Sequence, residues 1–350
     1  LRVTPGPLRG NVSIDCGLAG TVMRFVPPLA LLVPGMVNFD GDEGARRRPM
    51  HTTIDSLRAL GASVESSSQG LPFSVASSGR VQGGELEIDA SASSQFVSGL
   101  LLVAARFENG LTLKHTGEEL PSLPHIEMTL ETLRQRGVAA HAIDERTWRV
   151  EPGPIRGGRV VIEPDLSNAG PFLAAAMVCA GEIRIPLWPS KTTQVGAEFE
   201  RILPLMGASV SRAGEDLVLQ GTGTIHGIEI DLSIGGELAP VIAALAVLAD
   251  SPSRITGIAH LRGHETDRLS ALTTEINRLG GNCRELPDGL EIHPSKLTAG
   301  KWHTYEDHRM ATTGAVIGLR VPGIEIENIA TTSKTMPDFP KLWSQMLEGR

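Results

Sequence analysis

The stretch "LEIDASASSQFVSGLLLVAA", residues 86–105, combines the three features that decide the fold. An alternating strand pattern ends at the acidic Asp89, small and polar residues follow, and a long apolar run begins after Gln95. This run is hydrophobic on every side, so a helix formed by it has to lie inside the protein rather than on the surface. We therefore expect an inverted arrangement with helices in the interior and sheets outside.

The same pattern recurs along the chain. It returns in "VSIDCGLAGT", "VVIEPDLSNA", "IEIDLSIGGE" and, more loosely, "HTYEDHRMAT", with its reference positions 68 to 74 residues apart: Asp15, Asp89, Glu163, Asp231 and Tyr305. A second marker, an amphipathic helix that ends on glycine before a short strand, recurs at similar intervals at Gly61, Gly137, Gly207 and Gly280. Two markers with one period indicate a reused βαβαββ unit and an α/β fold class.

Length and composition limit the possible classes of protein. A chain of 350 residues with 41% hydrophobic content is long enough for two domains, which we place at 1–163 and 164–350, because a new unit begins near "IEPDLSNAG". The net charge of −8 argues against a general nucleic-acid surface. The longest apolar runs fall short of the roughly 18 residues that span a bilayer, so we predict a cytoplasmic protein without membrane contact.

Cysteine usage and spacing give no sign of a metal site or a disulfide framework. The three cysteines, Cys16, Cys179 and Cys283, lie far apart in the sequence and form no ligand motif. We expect buried free thiols in a reducing compartment, with neither metal nor cofactor.

Polar turns before the apolar helices predict anion-binding sites. The N-terminus of a helix presents free N–H groups and the positive end of the dipole, which favour bound phosphate or carboxylate. One such turn carries Gly20 and Thr21, with Arg24 one helical turn later, and the next carries Ser93, Ser94 and Gln95. Ordinary N-capping by serine and threonine is the alternative for each turn, but the recurrence favours ligand binding.

Charged groups cluster in three further places. "ARRRP" carries Arg46, Arg47 and Arg48, and "DHRM" puts His308 and Arg309 at a helix start, where a cation is unfavourable unless an anion joins it. In "RGHETDRL", residues 262–269, Arg262 and Arg268 could hold an anion while His264 and Glu265 exchange protons, with Glu265 tuned toward neutrality. The alternative is a salt-bridged surface in which Arg262 and Asp267 only hold the others in place. Glu237 adds a carboxylate at a buried helix start.

Five motifs in order, "CGLAGTVMRF", "DASASSQFVSGLLL", "RGHETDRL", "YEDHRMA" and "TTSKTMPDFP", resemble the 3-phosphoshikimate 1-carboxyvinyltransferase (EPSP synthase) family, most closely its actinobacterial type. The resemblance covers the whole chain. It implies a two-domain inside-out α/β barrel whose helix N-termini face a cleft that closes on substrate. It also implies transfer of the enolpyruvyl group of phosphoenolpyruvate to the 5-hydroxyl of shikimate 3-phosphate, without a cofactor, by a monomer that the inhibitor glyphosate targets.

The resemblance also implies roles for individual residues. Shikimate 3-phosphate is expected on Ser93, Ser94, Gln95, Ser122, Glu237 and His264. Phosphoenolpyruvate is expected on Gly20, Thr21, Arg24, Arg48, Gln95, Arg268, Arg309 and Lys334. Glu237 is expected to be the base at the 5-hydroxyl and Glu265 the proton donor and acceptor at the methylene, with His264 as a cation or proton carrier.

The sequence departs from the family pattern at several positions. The family commonly has Asp at Glu237, Lys at His264, Asn at His260, Tyr at His125 and Asn at Leu18. The family's opening glycine-lysine-serine segment has no counterpart, so we expect a truncated chain with reduced turnover. Three alternatives stay open: the enolpyruvyl transferase that acts on UDP-N-acetylglucosamine, an inactive fragment that only binds phosphorylated ligands, and a purely structural repeat protein.

Overall fold

In the computed structural model, which describes residues 1–349, the polar turn after Ile88 joins an outer strand to a buried helix, as the opening stretch predicts. The chain divides into two compact units, Leu1–Val160 and Val161–Arg350. The division falls three residues before the end of the first domain proposed from the sequence.

The first unit contains two copies of the βαβαββ order. The first copy consists of β1 (Val12–Asp15), α1 (Gly20–Ala30), β2 (Pro34–Asp40), a short α2 (Glu43–Arg46), α3 (His51–Ala59), β3 (Ser63–Ser66) and β4 (Phe73–Ser78). The second consists of β5 (Gly84–Ile88), α4 (Gln95–Ala104), β6 (Leu111–His115), α5 (Leu123–Gln135), β7 (Ala140–Asp144) and β8 (Thr147–Val150).

The two sheets of this unit have matching topology. Their strand orders are β1-β2-β4-β3 and β5-β6-β8-β7. In each sheet the first pair is parallel, with Val12 opposite Val37 and Leu86 opposite Leu113, and the remaining pairs are antiparallel. The parallel pair needs a crossover connection, and the buried helix α1 or α4 provides it.

The second unit contains three further copies, of which only the middle one is complete. The first comprises α6 (Leu166–Val178), β9 (Glu182–Ile185), α7 (Phe199–Leu205), β10 (Ser209–Ala213) and β11 (Asp216–Gln220). The second comprises β12 (Glu229–Asp231), α8 (Ala239–Val247), β13 (Ser253–Thr256), α9 (Arg268–Arg278), β14 (Asn282–Leu286) and β15 (Gly289–His293). The third comprises β16 (Gly300–Trp302), α10 (His308–Gly318), β17 (Ile324–Ile326) and α11 (Phe339–Leu347).

Buried helices form the interior of each unit, as predicted. All nine residues of α8 are buried, and α8 packs against α6 and α10. In the first unit α1 and α4 approach so closely that a Cβ on Gly99 would lie 2.4 Å from the Arg24 carbonyl oxygen. Any larger side chain on α4 at this position would push the two helices apart. None of the helices described between residues 1 and 349 is long and apolar enough to cross a membrane.

The glycine marker is also confirmed. Gly61, Gly137, Gly207 and Gly280 each follow the end of an outer helix with φ between +80° and +102°. Only glycine adopts this left-handed conformation without a steric penalty, which is why it recurs where a helix must stop before the next strand.

Two details of the predicted repeat are wrong. The segment at 160–163 forms no strand, and Val160, Val161 and Ile162 are 55 to 82% exposed. The sheet of this repeat copy, β10-β11-β9, therefore has three strands. A β-branched segment forms a strand only where another strand supplies hydrogen bonds. In the last copy β16 ends at Trp302, before Tyr305, and a turn carries the chain to the helix.

Candidate active site

The N-terminus of α1 lies against two guanidinium groups. A Cβ built on Gly20 would lie 2.8 Å from both terminal nitrogens of Arg48 and 3.1 Å from Nη1 of Arg24. Thr21 occupies the same first turn and is exposed. Two cations beside the positive end of a helix dipole repel each other and the dipole. A bound anion would offset this repulsion, so the arrangement favours anion binding.

Arg24 also connects this helix end to the next internal helix. Its side chain is buried, its Nη1 donates to Oε1 of Gln95 at 2.9 Å, and its guanidinium carbon lies 5.3 Å from the ring centroid of Phe96. Gln95 is the first residue of α4. The structure therefore brings the predicted residues Gly20, Arg24, Arg48 and Gln95 together at one end of α1 and α4.

Ser94 and Ser122 each directly precede a helix but do not cap it. Ser94 is buried and precedes α4, yet its side chain forms no capping hydrogen bond. Ser122 precedes α5, is buried, has a left-handed backbone with φ 56° and likewise makes no cap bond. Ser93 differs, because its Oγ accepts from the N–H of Gln95 at 3.3 Å. Simple N-capping, the alternative considered from the sequence, therefore does not explain Ser94 or Ser122.

A histidine that the sequence did not single out holds both serine turns. Nδ1 of the buried His115 accepts from the Ala90 N–H at 3.1 Å, which leaves its Nε2–H to donate to the Glu119 carbonyl at 3.1 Å. Ala90 belongs to the turn that carries Ser93 and Ser94, and Glu119 lies three residues before Ser122. Neither periodicity nor motif spacing identifies such a bridge, because both partners are backbone groups.

In the second unit, Arg268 is the centre of a charged cluster. The side chain is 2% exposed, and its Nε donates to Asp307 at 2.7 Å. Its Nη2 donates to Oδ1 of Asp307 at 3.2 Å and to Oε2 of Glu265 at 2.8 Å. Asp307, fully buried, also accepts from the Arg309 N–H at 2.8 Å and caps α10. Asp307 was not among the residues predicted from the sequence, although its position directly before a helix start is typical of an N-cap.

Glu265 lies between two cations. It contacts Arg268 through one oxygen and the Lys334 Nζ through the other. Burial alone would raise the pKa of Glu265, but Arg268 and Lys334 together hold that pKa below its ordinary value. The expectation that the site tunes Glu265 toward neutrality is therefore wrong for this arrangement, in which the carboxylate is ionised.

His264 lies beside Arg268 in the same cluster. Nη1 of Arg268 is 3.2 Å from Nδ1 of His264. A guanidinium group can only donate, so this contact is a hydrogen bond only when Nδ1 carries no proton. The role of His264 as a cation or proton carrier stays a prediction.

Arg309 and Glu237 begin neighbouring internal helices. Glu237 lies in the 3₁₀ turn Gly236–Leu238 directly before α8, and Arg309 lies in the first turn of α10. Burial, followed by the charge of Arg268, lowers the pKa of Arg309, while Glu237 and Asp165 oppose this shift. Arg309 stays charged at any working pH and is held at the positive end of a dipole.

Two residues of the charged stretch 262–269 have structural roles. Arg262 pairs with Glu285 and donates to the carbonyls of Leu286 at 2.9 Å and Pro287 at 3.2 Å. Asp267 caps α9 by accepting from the Ser270 N–H at 3.1 Å. These contacts favour the alternative in which Arg262 and Asp267 hold the neighbouring residues in place, and anion binding by Arg262 stays a prediction. Among residues 1–349, no group of three or more His, Cys, Asp or Glu side chains could hold a metal ion.

Similarity to known proteins agrees with this fold and site. The family model described as EPSP synthase (3-phosphoshikimate 1-carboxyvinyltransferase) matches residues 4–343. A 3-phosphoshikimate 1-carboxyvinyltransferase of Kocuria rhizophila is 55% identical over 353 aligned residues, covering 99% of this chain and 79% of that protein.

Solved structures share the architecture. EPSP synthase from Acinetobacter baumannii superposes with a TM-score of 0.76 at 23% identity, covering 96% of this chain and 79% of that one. The enolpyruvyl transferase NikO from Streptomyces tendae gives 0.65 at 19% identity, covering 84% and 70%. The fold is thus that of the enolpyruvyl transferases, as predicted. More specifically, the chain belongs to the EPSP synthase family.

The position of Glu265 predicts a pH-dependent contribution to stability. Glu265→Gln should lower the free energy of unfolding by about 3 kcal/mol at pH 7, because the buried Arg268 and the more exposed Lys334 lose their shared partner. A pKa lowered by folding stabilises the protein above the unfolded pKa of about 4.3 and loses that effect as pH falls toward the folded value. The difference between the two proteins should therefore shrink between about pH 5 and pH 3.

Urea unfolding followed by tryptophan fluorescence measures this difference. Glu325→Gln, which changes an exposed carboxylate on β17, is the control and should leave the free energy of unfolding unchanged throughout this pH range. A constant difference for Glu265→Gln across this range would contradict the ion-pair assignment.

Proposed function

We propose that this chain transfers the enolpyruvyl group of phosphoenolpyruvate to the 5-hydroxyl of shikimate 3-phosphate and releases phosphate. The observation that carries the proposal is the placement of Glu265 between Arg268 and Lys334, in a chain of the EPSP synthase family. The two cations that pair with Glu265 in this placement can pair with an anionic substrate instead.

Each substrate has a proposed set of residues. We assign shikimate 3-phosphate to Ser93, Ser94, Gln95, Ser122, Glu237 and His264. We assign phosphoenolpyruvate to Gly20, Thr21, Arg24, Arg48, Gln95, Arg268, Arg309 and Lys334. The buried side chains of Ser94 and Ser122, which form no cap bond, support the first set, and the guanidinium groups beside α1 and α10 support the second.

The proton steps follow from the charge balance at Glu265. When the carboxylate or phosphate of phosphoenolpyruvate pairs with Arg268 and Lys334, Glu265 loses their stabilisation and its pKa rises. It then takes up a proton from solvent, which it can give to the methylene carbon while Glu237 takes the proton of the 5-hydroxyl, whose oxygen attacks the adjacent carbon. In the elimination step Glu265 removes a proton from the new methyl group, the double bond re-forms, and the bond from carbon to the phosphate oxygen breaks. Phosphate leaves with the bonding electron pair, and Glu265 and Glu237 return their protons to phosphate or solvent.

The enolpyruvyl transferase that acts on UDP-N-acetylglucosamine is the alternative enzyme, and it typically uses a reactive cysteine. Here Cys16 is 3% exposed, and burial together with the nearby Asp15 and Asp40 raises the pKa of its thiol to about 11. A thiol in this state is a poor nucleophile near neutral pH. The buried Cys16 therefore supports the shikimate 3-phosphate reaction.

Three further properties belong to the proposal. Glyphosate competes with phosphoenolpyruvate, the chain acts as a monomer, and the reaction takes place in the cytoplasm. Membership of a biosynthetic enzyme family supports these statements.

Phosphate release with alternative acceptors tests the reaction. Phosphoenolpyruvate with shikimate 3-phosphate should release phosphate, and UDP-N-acetylglucosamine in its place should not. Glu265→Gln should lower kcat by roughly 100-fold or more, since it removes the proton carrier, while calorimetry should still detect phosphoenolpyruvate binding. Equal release with both acceptors, or unchanged kcat in the variant, would refute the proposal. Binding without turnover in the wild type would favour a protein that only binds these ligands.

Gly20 provides a prediction about phosphoenolpyruvate binding. Gly20→Ala places a methyl group 2.8 Å from the Arg48 guanidinium and has to displace it. We expect KM for phosphoenolpyruvate to rise about tenfold, while KM for shikimate 3-phosphate changes little. Gly6→Ala, which meets no atom within 4 Å, is the matched control. A variant with unchanged KM for phosphoenolpyruvate would remove Gly20 and Arg48 from this site.

A further inference from the structure

The turn that leads into α10 has an unusual backbone. Tyr305 and Glu306 have φ values of 52° and 55°, two consecutive left-handed residues, neither of which is glycine. Side chains with a Cβ rarely adopt this conformation, and it persists only where the surroundings enforce it. The next residue, Asp307, holds the guanidinium of Arg268 and caps α10 at Arg309.

A buried carboxylate on α9 holds this turn. Glu275 is 0% exposed, and it takes no part in the proton steps proposed above. It accepts from Tyr305 Oη at 2.6 Å, from the His303 N–H at 3.0 Å and from Arg278 Nη2 at 3.2 Å. Burial, followed by the hydrogen bond to Glu275, raises the pKa of Tyr305 to about 12, so its hydroxyl remains a donor near neutral pH.

A second carboxylate fixes the beginning of the same turn. Glu327 contacts His303 Nδ1 at 3.0 Å and accepts from the Thr304 N–H at 3.4 Å. The two residues before Tyr305 are thus anchored by Glu327 and Glu275. The left-handed pair that follows is tied to the buried Glu275 by the Tyr305 hydroxyl, and the Tyr305 ring also lies edge-on to His303, 6.5 Å between ring centroids.

We propose that Glu275 and Tyr305 are positioning residues for the anion site of the second unit. By holding the left-handed turn, they set the place of Asp307, and through Asp307 the orientation of Arg268 and the first turn of α10. Neither residue touches the reacting atoms. The inference rests on the proposed function only in assigning Arg268 and Arg309 to phosphoenolpyruvate.

Tyr305→Phe tests the proposal with the smallest change, because it removes one oxygen atom and keeps the ring. We expect kcat/KM for phosphoenolpyruvate to fall roughly tenfold, while KM for shikimate 3-phosphate and the thermal midpoint change little. Glu291→Gln is the control. Like Glu275, Glu291 pairs with an arginine, and it also contacts a histidine, but it lies on β15. It should leave both kinetic constants unchanged.

A second substitution separates positioning from general destabilisation. Glycine adopts φ near +55° freely, so adding Glu306→Gly to Tyr305→Phe should let the turn form without its anchor and restore at least about half of the lost kcat/KM. A purely structural loss would affect both substrates alike and would not be restored. Unchanged kcat/KM in Tyr305→Phe, or no restoration in the double variant, overturns the proposal.

Hydrogen exchange gives a readout that does not depend on turnover. Tyr305→Phe should increase deuterium uptake in a peptide covering residues 303–312 relative to both wild type and Glu291→Gln. Equal uptake in all three proteins would show that the hydroxyl does not hold the turn. If the wild-type chain releases no phosphate, the proposed function fails, and the exchange comparison still decides whether Glu275 and Tyr305 hold the turn.

Discussion

Positive charge is concentrated where the helix dipoles are already positive, and the candidate site depends on this constraint. In the first unit the guanidinium groups of Arg24 and Arg48 lie beside the start of α1, and in the second Arg309 begins α10 next to Arg268. Such an arrangement is unfavourable in isolation. It is stable only with compensating negative charge, which the protein or a bound anion has to supply.

In the second unit the protein supplies that charge with carboxylates of two kinds. Asp307 is fully buried and bonded to both Arg268 and the α10 backbone, so it stays in place and orients the guanidinium. Glu265 bridges Arg268 and Lys334 from a less buried position, and both partners are side chains that an anionic substrate can engage. One carboxylate thus organises the site, and the other pairs with the two cations that the proposed function assigns to phosphoenolpyruvate.

Much of the architecture was predictable from sequence, because the repeat, the polar turns and the helix-ending glycines are local patterns. The failures involve tertiary partners. The segment at 160–163 has strand composition but pairs with no strand, and Arg262 pairs with Glu285 on β14. The lowered pKa of Glu265 depends on Lys334, which lies 69 residues away in sequence. Glu275, His115 and Asp307 carry no motif that reveals their partners before the fold is known.

The most direct test is a crystal structure of the chain grown with shikimate 3-phosphate and phosphoenolpyruvate. The account predicts phosphate oxygens within about 3 Å of the Ser94 and Ser122 hydroxyls, and a second anion within the same distance of guanidinium nitrogens of Arg268 or Arg309. Density for both molecules elsewhere, with the contacts of Arg268 to Glu265 and Asp307 unchanged, would contradict it.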